Sequence, residues 1–212
     1  MSRTDLVIFD CDGVLVDSEP ISNRVWCQCL RTLGWDLDDA ASHEMFVGRS
    51  MADCVRLVEA RLGITVPESF VPRFREVSFE AFRRELKPIP GVREAIEAIP
   101  APRCVASSGP HDKIRLNLTI TGLIDHFEGR IFSAADVPRG KPHPDLFLHA
   151  ATSLGTPPTR CVVVEDSVPG VRAAIAAGMR ALGYARSANA AALTKAGAEV
   201  FDDMAQLPML VR

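Results

Sequence analysis

Three short runs of the chain are almost continuously apolar and stop abruptly on polar groups. They are Leu6-Val7-Ile8-Phe9 into Asp10, Cys104-Val105-Ala106 into Ser107-Ser108-Gly109, and Cys161-Val162-Val163-Val164 into Glu165-Asp166. Runs this short and this evenly apolar predict strands covered on both faces, as parallel neighbours in one sheet are. Between and after the later two, the apolar period lengthens to that of helices over residues 110–118, 144–155 and 167–178. In the last of these Ser167 stands as the N-cap and Gly178 as the residue beyond the end. Residues 131–134 and 179–184 predict two more strands. The alternation specifies an α/β fold: a Rossmann-like parallel sheet core with helices on both faces.

One stretch breaks the alternation. From 18 to 87 the spacing is helical throughout, carried by Ile21, Val25, Cys29 and Leu33, then Met51, Val55, Val58 and Leu62, then Phe70, Phe74, Val77 and Ala81. Pro88-Ile89-Pro90-Gly91 follows as a stiff return. The expected organisation is therefore a core of residues 1–17 and 88–212 with a small all-helical cap domain, 18–87, inserted after the first strand. A helical insert leaving at a strand's C-terminal end is placed to act as a lid, or to be a structural appendage.

Composition changes this picture little. A chain of 212 residues with a formal charge of −3 and no block of basic residues has no field suited to nucleic acid or an anionic membrane, and nothing in it implies a protein partner. No apolar stretch approaches the roughly 18 residues of a membrane span, and Met1–Asp5 leads straight towards the first strand without a cleavable-signal pattern. Cys11, Cys27, Cys29, Cys54, Cys104 and Cys161 show no zinc spacing and read as small buried hydrophobes in a reduced, cytoplasmic protein. The alanine-rich run from 173 to 192 reads as good helix former.

Asp10 and Asp12, two residues apart at the end of the first strand, carry most of the chemistry. Like charges about 4 Å apart repel by roughly 4 kcal/mol at an effective dielectric near 20, so a cluster of acids needs a metal, a lysine or a shared proton. Taken together, Asp10-Cys11-Asp12-Gly13-Val14-Leu15-Val16-Asp17-Ser18-Glu19, Ser107-Ser108-Gly109, Lys141-Pro142-His143-Pro144-Asp145 and Val164-Glu165-Asp166-Ser167 resemble the four ordered motifs of the haloacid dehalogenase-like superfamily. With the helical insert, the chain is similar to its small-cap branch of β-phosphoglucomutases and sugar-phosphate phosphatases.

That resemblance implies a phosphatase acting on a small phosphorylated metabolite, a sugar phosphate such as 6-phosphogluconate, with Asp10 as nucleophile and Asp12 as general acid and base. It implies Mg²⁺ held by Asp10, the Asp12 carbonyl and Asp166, with Glu165 a ligand or a supporting acid. Four acids and a phosphate dianion against Lys141 alone point to the same hard dication. Lys141 would neutralise the phosphate and the Asp10 carboxylate, and Ser107 with the N–H groups of Ser108 and Gly109 would hold phosphoryl oxygens. In the insert, Glu19 and Arg49 of the Val47-Gly48-Arg49-Ser50 loop are candidates for substrate contact. The bland alternatives are turn formation for the aspartates, helix capping for the serines, a solvated side chain for Lys141, Arg49 and Glu19, and a structural role for Glu165. Asp17 and Asp145 read as local caps or turn residues, and His43, His111, His126, His143 and His149 show no ligand spacing.

A β-phosphoglucomutase-like phosphotransferase is the nearest alternative. The cap-helix histidine of those enzymes corresponds to Ser22 here, which favours transfer to water. A metal-free dehalogenase would have little use for Asp12, a phospho-accepting module would lack the helical insert, and a catalytically silent binder would be expected to have lost one of Asp10, Asp12, Lys141 or Asp166.

Overall fold

The computed structural model describes residues 4–47, 49–186 and 189–212. Gly48 of the expected substrate loop, the first three residues, and Ser187 and Ala188 of the alanine-rich run lie outside the described residues. The chain divides into two compact units, Met1–Asp17 with Lys87–Arg212, and Ser18–Leu86.

After the strand β1 (Leu6–Phe9), the Ser18–Leu86 unit consists of α1 (Glu19–Thr32), α2 (Asp39–Phe46), α3 (Met51–Leu62) and α4 (Phe70–Glu85). Its core is aromatic. Trp26 on α1 meets Phe46, Phe70 and Phe74 edge-on at centroid distances of 5.4, 5.4 and 5.1 Å, each such pair contributing about 0.5–1.5 kcal/mol beyond its area. The expected apolar face of α3 is rotated: Cys54 and Val58 are buried while Met51 is exposed. Helix α2, with only Ser42 and Phe46 buried, is too short and too polar to have stood out in the sequence.

The other unit carries α5 (Val92–Ala98), β2 (Arg103–Ser107), α6 (His111–Ile120), β3 (Ile131–Ser133), α7 (Asp145–Ser153), β4 (Cys161–Glu165), α8 (Val168–Ala176), β5 (Arg180–Tyr184), α9 (Ala190–Ala196), β6 (Glu199–Phe201) and α10 (Leu207–Leu210). The six strands pair in parallel in the order β3-β2-β1-β4-β5-β6. The three apolar runs are the adjacent strands β2, β1 and β4, with Phe9 opposite Val105 on one side and Val164 on the other. Alternate residues of β1 face opposite ways. Leu6 and Ile8 pack with Leu146, Phe147 and Ala150 of α7 and Val171 and Ala174 of α8, whereas Phe9 meets Phe127, 5.9 Å away.

Ser167 caps α8 by accepting from the Gly170 N–H, and Gly178 follows that helix at φ 73°, as the sequence specifies. The alanine-rich run is not one helix. It ends α8 at Ala176 and passes through β5 before α9, because an apolar strand slot beside β4 outweighs alanine's helix preference. All six cysteines are buried and unpaired. Among the described residues no helix is long and apolar enough to cross a membrane.

Candidate active site

Strand β1 lies where the order reverses, with β2 to one side and β4, after a long excursion of chain, to the other. The C-terminal rim at such a switch point is where open α/β sheets form their ligand crevice. Asp10 stands at that rim, its N–H donating to the Val164 carbonyl at 2.9 Å. The chain then turns tightly, with the Leu15 and Val16 N–H groups donating to the Cys11 carbonyl at 2.9 and 3.1 Å. Gly13 is required within that turn on two grounds: its φ is +79°, and a Cβ there would lie 1.9 Å from Oδ2 of Asp166.

Lys141 ties the three central strands together. Its Nζ donates to Asp10 Oδ1 at 2.6 Å, Glu165 Oε1 at 2.6 Å and the Ala106 carbonyl at 3.1 Å, which uses all three of its protons. The second oxygen of Glu165, Oε2, accepts from the Asp166 N–H, the Ser167 N–H and Ser167 Oγ at 3.0, 2.9 and 2.8 Å. Glu165 is therefore fixed from both ends while almost wholly buried, at 1% side-chain exposure.

The electrostatics follow from that burial. Burial, reinforced by Glu165 and Asp12 and opposed by Lys141, pushes the Asp10 carboxyl up to about 7. Burial disfavours the Lys141 ammonium as well, but Asp10 and Glu165 outweigh it and raise its pKa above the usual lysine range. A carboxylate so placed gains from further positive charge nearby. Asp10, Glu165 and Asp166 each offer a carboxylate oxygen, and these oxygens lie within 4.8 Å of one another. A set of hard oxygen donors this compact fits a hard divalent cation better than a soft one.

Asp12 is held by residues the sequence reading missed. Lys113 Nζ donates to Asp12 Oδ2 at 2.7 Å, and Asn117 Nδ2 approaches Asp12 Oδ1 at 3.4 Å. Both side chains come from α6, one turn apart. Burial disfavours the Lys113 ammonium, yet Asp12 outweighs it and the pKa is raised. The available signal was a lysine and an asparagine at i and i+4 on a helix starting just past Ser107-Ser108-Gly109.

A family profile described as haloacid dehalogenase-like hydrolase matches residues 4–178. The chain belongs to the haloacid dehalogenase-like hydrolases. It is 32% identical over 211 residues to the 6-phosphogluconate phosphatase of Escherichia coli (strain K12), covering 99% of this chain and 96% of that protein. It is 35% identical over 182 residues to hexitol phosphatase B of the same strain, covering 82% of this chain and 81% of that protein. The crystal structure of a HAD family hydrolase from Deinococcus radiodurans R1, with bound phosphate and sodium, superposes with a TM-score of 0.81 at 33% identity, covering 98% of this chain and 94% of that one.

In this haloacid dehalogenase-like hydrolase the expected site residues divide into two sets. Asp10, Asp12, Lys141, Glu165 and Asp166 come together, with Ser107-Ser108-Gly109 following β2 at the same rim. Ser107 is buried and its Oγ accepts from the Gly109 N–H at 3.1 Å, so in this state that N–H is turned onto the serine; Ser108 is exposed. Ser133 pins the loop by donating to the Gly109 carbonyl at 2.7 Å. Glu19 and Arg49 belong to the Ser18–Leu86 unit; Glu19 is exposed at the start of α1, and Arg49 donates to the Met45 carbonyl at 2.8 Å.

Asp17 and Asp145 are not simply turn residues. Arg186 grips both oxygens of Asp17 at 2.6 and 3.1 Å, and Arg139 does the same to Asp145 at 3.0 and 2.8 Å. Arginine's planar fork favours such paired contacts. For Asp17 the partner is distant in sequence, which local spacing cannot reveal.

Proposed function

We propose that this protein is a Mg²⁺-dependent cytoplasmic phosphatase of small phosphorylated sugars or sugar acids, working through an aspartyl-phosphate on Asp10. The observation that carries the reading is the buried contact of Lys141 with both Asp10 and Glu165 at the rim of the central strand. It holds one carboxylate in place beside a compensating charge, which a nucleophile towards a phosphate dianion requires. Phosphate monoesters are among the slowest biological species to hydrolyse, so nucleophile, charge neutralisation and leaving-group proton must all be provided.

In this reading the Asp10 carboxylate attacks phosphorus as the bond to the sugar oxygen breaks, and Asp12 gives that oxygen a proton. Asp12 then takes a proton from water, which attacks phosphorus and releases Asp10 and inorganic phosphate. Such proton transfers contribute about 10²- to 10⁴-fold each. Lys141 offsets charge on Asp10 throughout. Asp10, the Asp12 carbonyl and Asp166 would hold Mg²⁺, which when bound supplies the remaining neutralisation of the phosphate. Glu165, with both oxygens committed to Lys141 and to the start of α8, is better suited to fixing the lysine than to ligation.

Ser107 and the backbone of Ser108 and Gly109 are the proposed phosphate cradle, and Glu19 and Arg49 are offered as sugar contacts on sequence grounds. Transfer to water rather than to a second sugar position is favoured by Ser22 on α1, where a mutase would carry an imidazole. The names of the two Escherichia coli relatives support sugar-derived substrates.

The test is inorganic phosphate release from p-nitrophenyl phosphate, hexose and hexitol phosphates and 6-phosphogluconate, with Mg²⁺ present. Turnover that EDTA abolishes and Mg²⁺ restores, and that Asp10→Asn reduces at least about 10⁴-fold, is expected. Absence of phosphate release across the panel overturns the reading.

A further inference from the structure

Asp12 must do opposite jobs in successive steps, and it sits in a tight turn beside another carboxylate that repels it. What keeps its carboxylate in one place comes from a different part of the chain. Lys113 grips Oδ2 at 2.7 Å with a side chain only 24% exposed, while Asn117, fully buried one turn further along α6, approaches Oδ1 at 3.4 Å. The two residues bracket the carboxylate, one on each oxygen. The lysine stem runs alongside Gly109, where an added Cβ would lie 3.5 Å from Lys113 Cδ, so a side chain at 109 would pack directly on the anchor of Asp12. Ser133 fastens that same loop through the Gly109 carbonyl.

We propose that Lys113 and Asn117 are positioning residues that clamp the Asp12 carboxylate at a fixed place relative to the Ser107–Gly109 loop. One rigid element, α6 with the loop leading into it, would then set both where phosphate sits and where the proton donor waits. The inference rests on the phosphatase reading above and adds two residues to it, both of which act through the Asp12 carboxylate. The ordinary alternative is a helix-surface lysine that lowers the energy of the fold by pairing with whichever acid is near. The two differ in what they do to the bond-breaking step, because misplacing a proton donor harms poor leaving groups selectively.

The experiment uses the full chain with Mg²⁺ and a series of substituted phenyl phosphates from p-nitrophenyl to unsubstituted phenyl, comparing wild type, Asp12→Asn, Lys113→Met, Lys113→Arg and Asn117→Ala. In Lys113→Met, log kcat/KM is expected to fall more steeply with leaving-group pKa than in wild type. The loss is about 10- to 100-fold for phenyl phosphate and under about 3-fold for p-nitrophenyl phosphate, approaching the Asp12→Asn profile. Lys113→Arg, which can still reach the carboxylate, is expected to restore most of the wild-type slope. An unchanged slope in Lys113→Met, whether kcat/KM is lowered uniformly or not at all, overturns the assignment, and a uniform loss is also what general misfolding would give. Lys113→Arg no better than Lys113→Met overturns it too, and an unchanged slope in Asn117→Ala removes Asn117 from the clamp. A wild type inactive on every ester instead overturns the phosphatase reading and, with it, this one.

Discussion

Replacing Gly170 by alanine separates two contributions of opposite sign. Gly170 is the third residue of α8, where exchanging glycine for alanine should stabilise the helix by up to about 1 kcal/mol if nothing else intervenes. Here something does. A Cβ at 170 would lie 1.8 Å from Oε1, 1.9 Å from Cδ and 2.3 Å from Oε2 of Glu165, well inside contact distance. That carboxylate is a side-chain end, but it is not free to move, since Lys141, two backbone N–H groups and Ser167 Oγ all donate to it. Its retreat would break a buried ion pair, a loss of about 3–5 kcal/mol. Helix propensity offsets at most about a fifth to a third of that, leaving Gly170→Ala destabilised by about 2–4 kcal/mol. For a chain of this size the melting temperature, read by calorimetry, should drop by about 5–15 °C. Hydrolysis of p-nitrophenyl phosphate should fall in the same variant, because Lys141 loses one of its two carboxylate anchors. A Gly170→Ala protein that melts at or above the wild-type temperature with undiminished activity would refute the account of Glu165 as the fixed support of Lys141.

Two further outcomes are expected. Lys141→Met leaves Asp10 and Glu165 buried without their common partner and should lower stability by about 3 kcal/mol or more, with phosphate release lost; Lys141→Arg should not rescue turnover, since a planar fork cannot make the same three-way contact. Asp136 supplies a pH test: burial works against its ionised form, but the Ser133 N–H and His111 hold the carboxyl below its usual 3.8. A lowered native pKa contributes stability that is present above the unfolded value and lost as pH falls through the native one. Asp136→Asn should therefore be less stable than wild type by about 0.3–1 kcal/mol near neutrality, the gap closing as the pH falls below 3.8, as followed by chemical denaturation at each pH.

Much of the fold was legible because parallel strands buried on both faces leave a plain mark: β1, β2 and β4 are each nearly all apolar, and no exposed face dilutes the signal. The edge strand β6 is only three residues long, Glu199-Val200-Phe201, with its first residue exposed, and carries no such mark. Met51 shows a different limit. It fits the helical period, yet the core face of α3 runs through Cys54 and Val58, because three turns of helix leave the phase of the apolar stripe to its neighbours.

For the site, the amino-acid order alone determined which residue types gather at strand ends, since a strand's C-terminal rim is fixed by where its apolar run stops. Asp10, Ser107, Glu165 and Asp166 were all found that way. Which acid meets which base was not in the local spacing: the family resemblance paired Lys141 with Asp10, and the Lys113–Asp12 pair was decided only by tertiary structure. Lys141 reaches Asp10 across 131 positions of chain, and Lys113 reaches Asp12 across 101. Local spacing carries no information about such pairs, because they exist only once the strand order has set β1 between β2 and β4 and brought α6 alongside. A lysine's charge is written in the sequence, but its partner is whatever the packed sheet leaves within a few ångströms of its nitrogen.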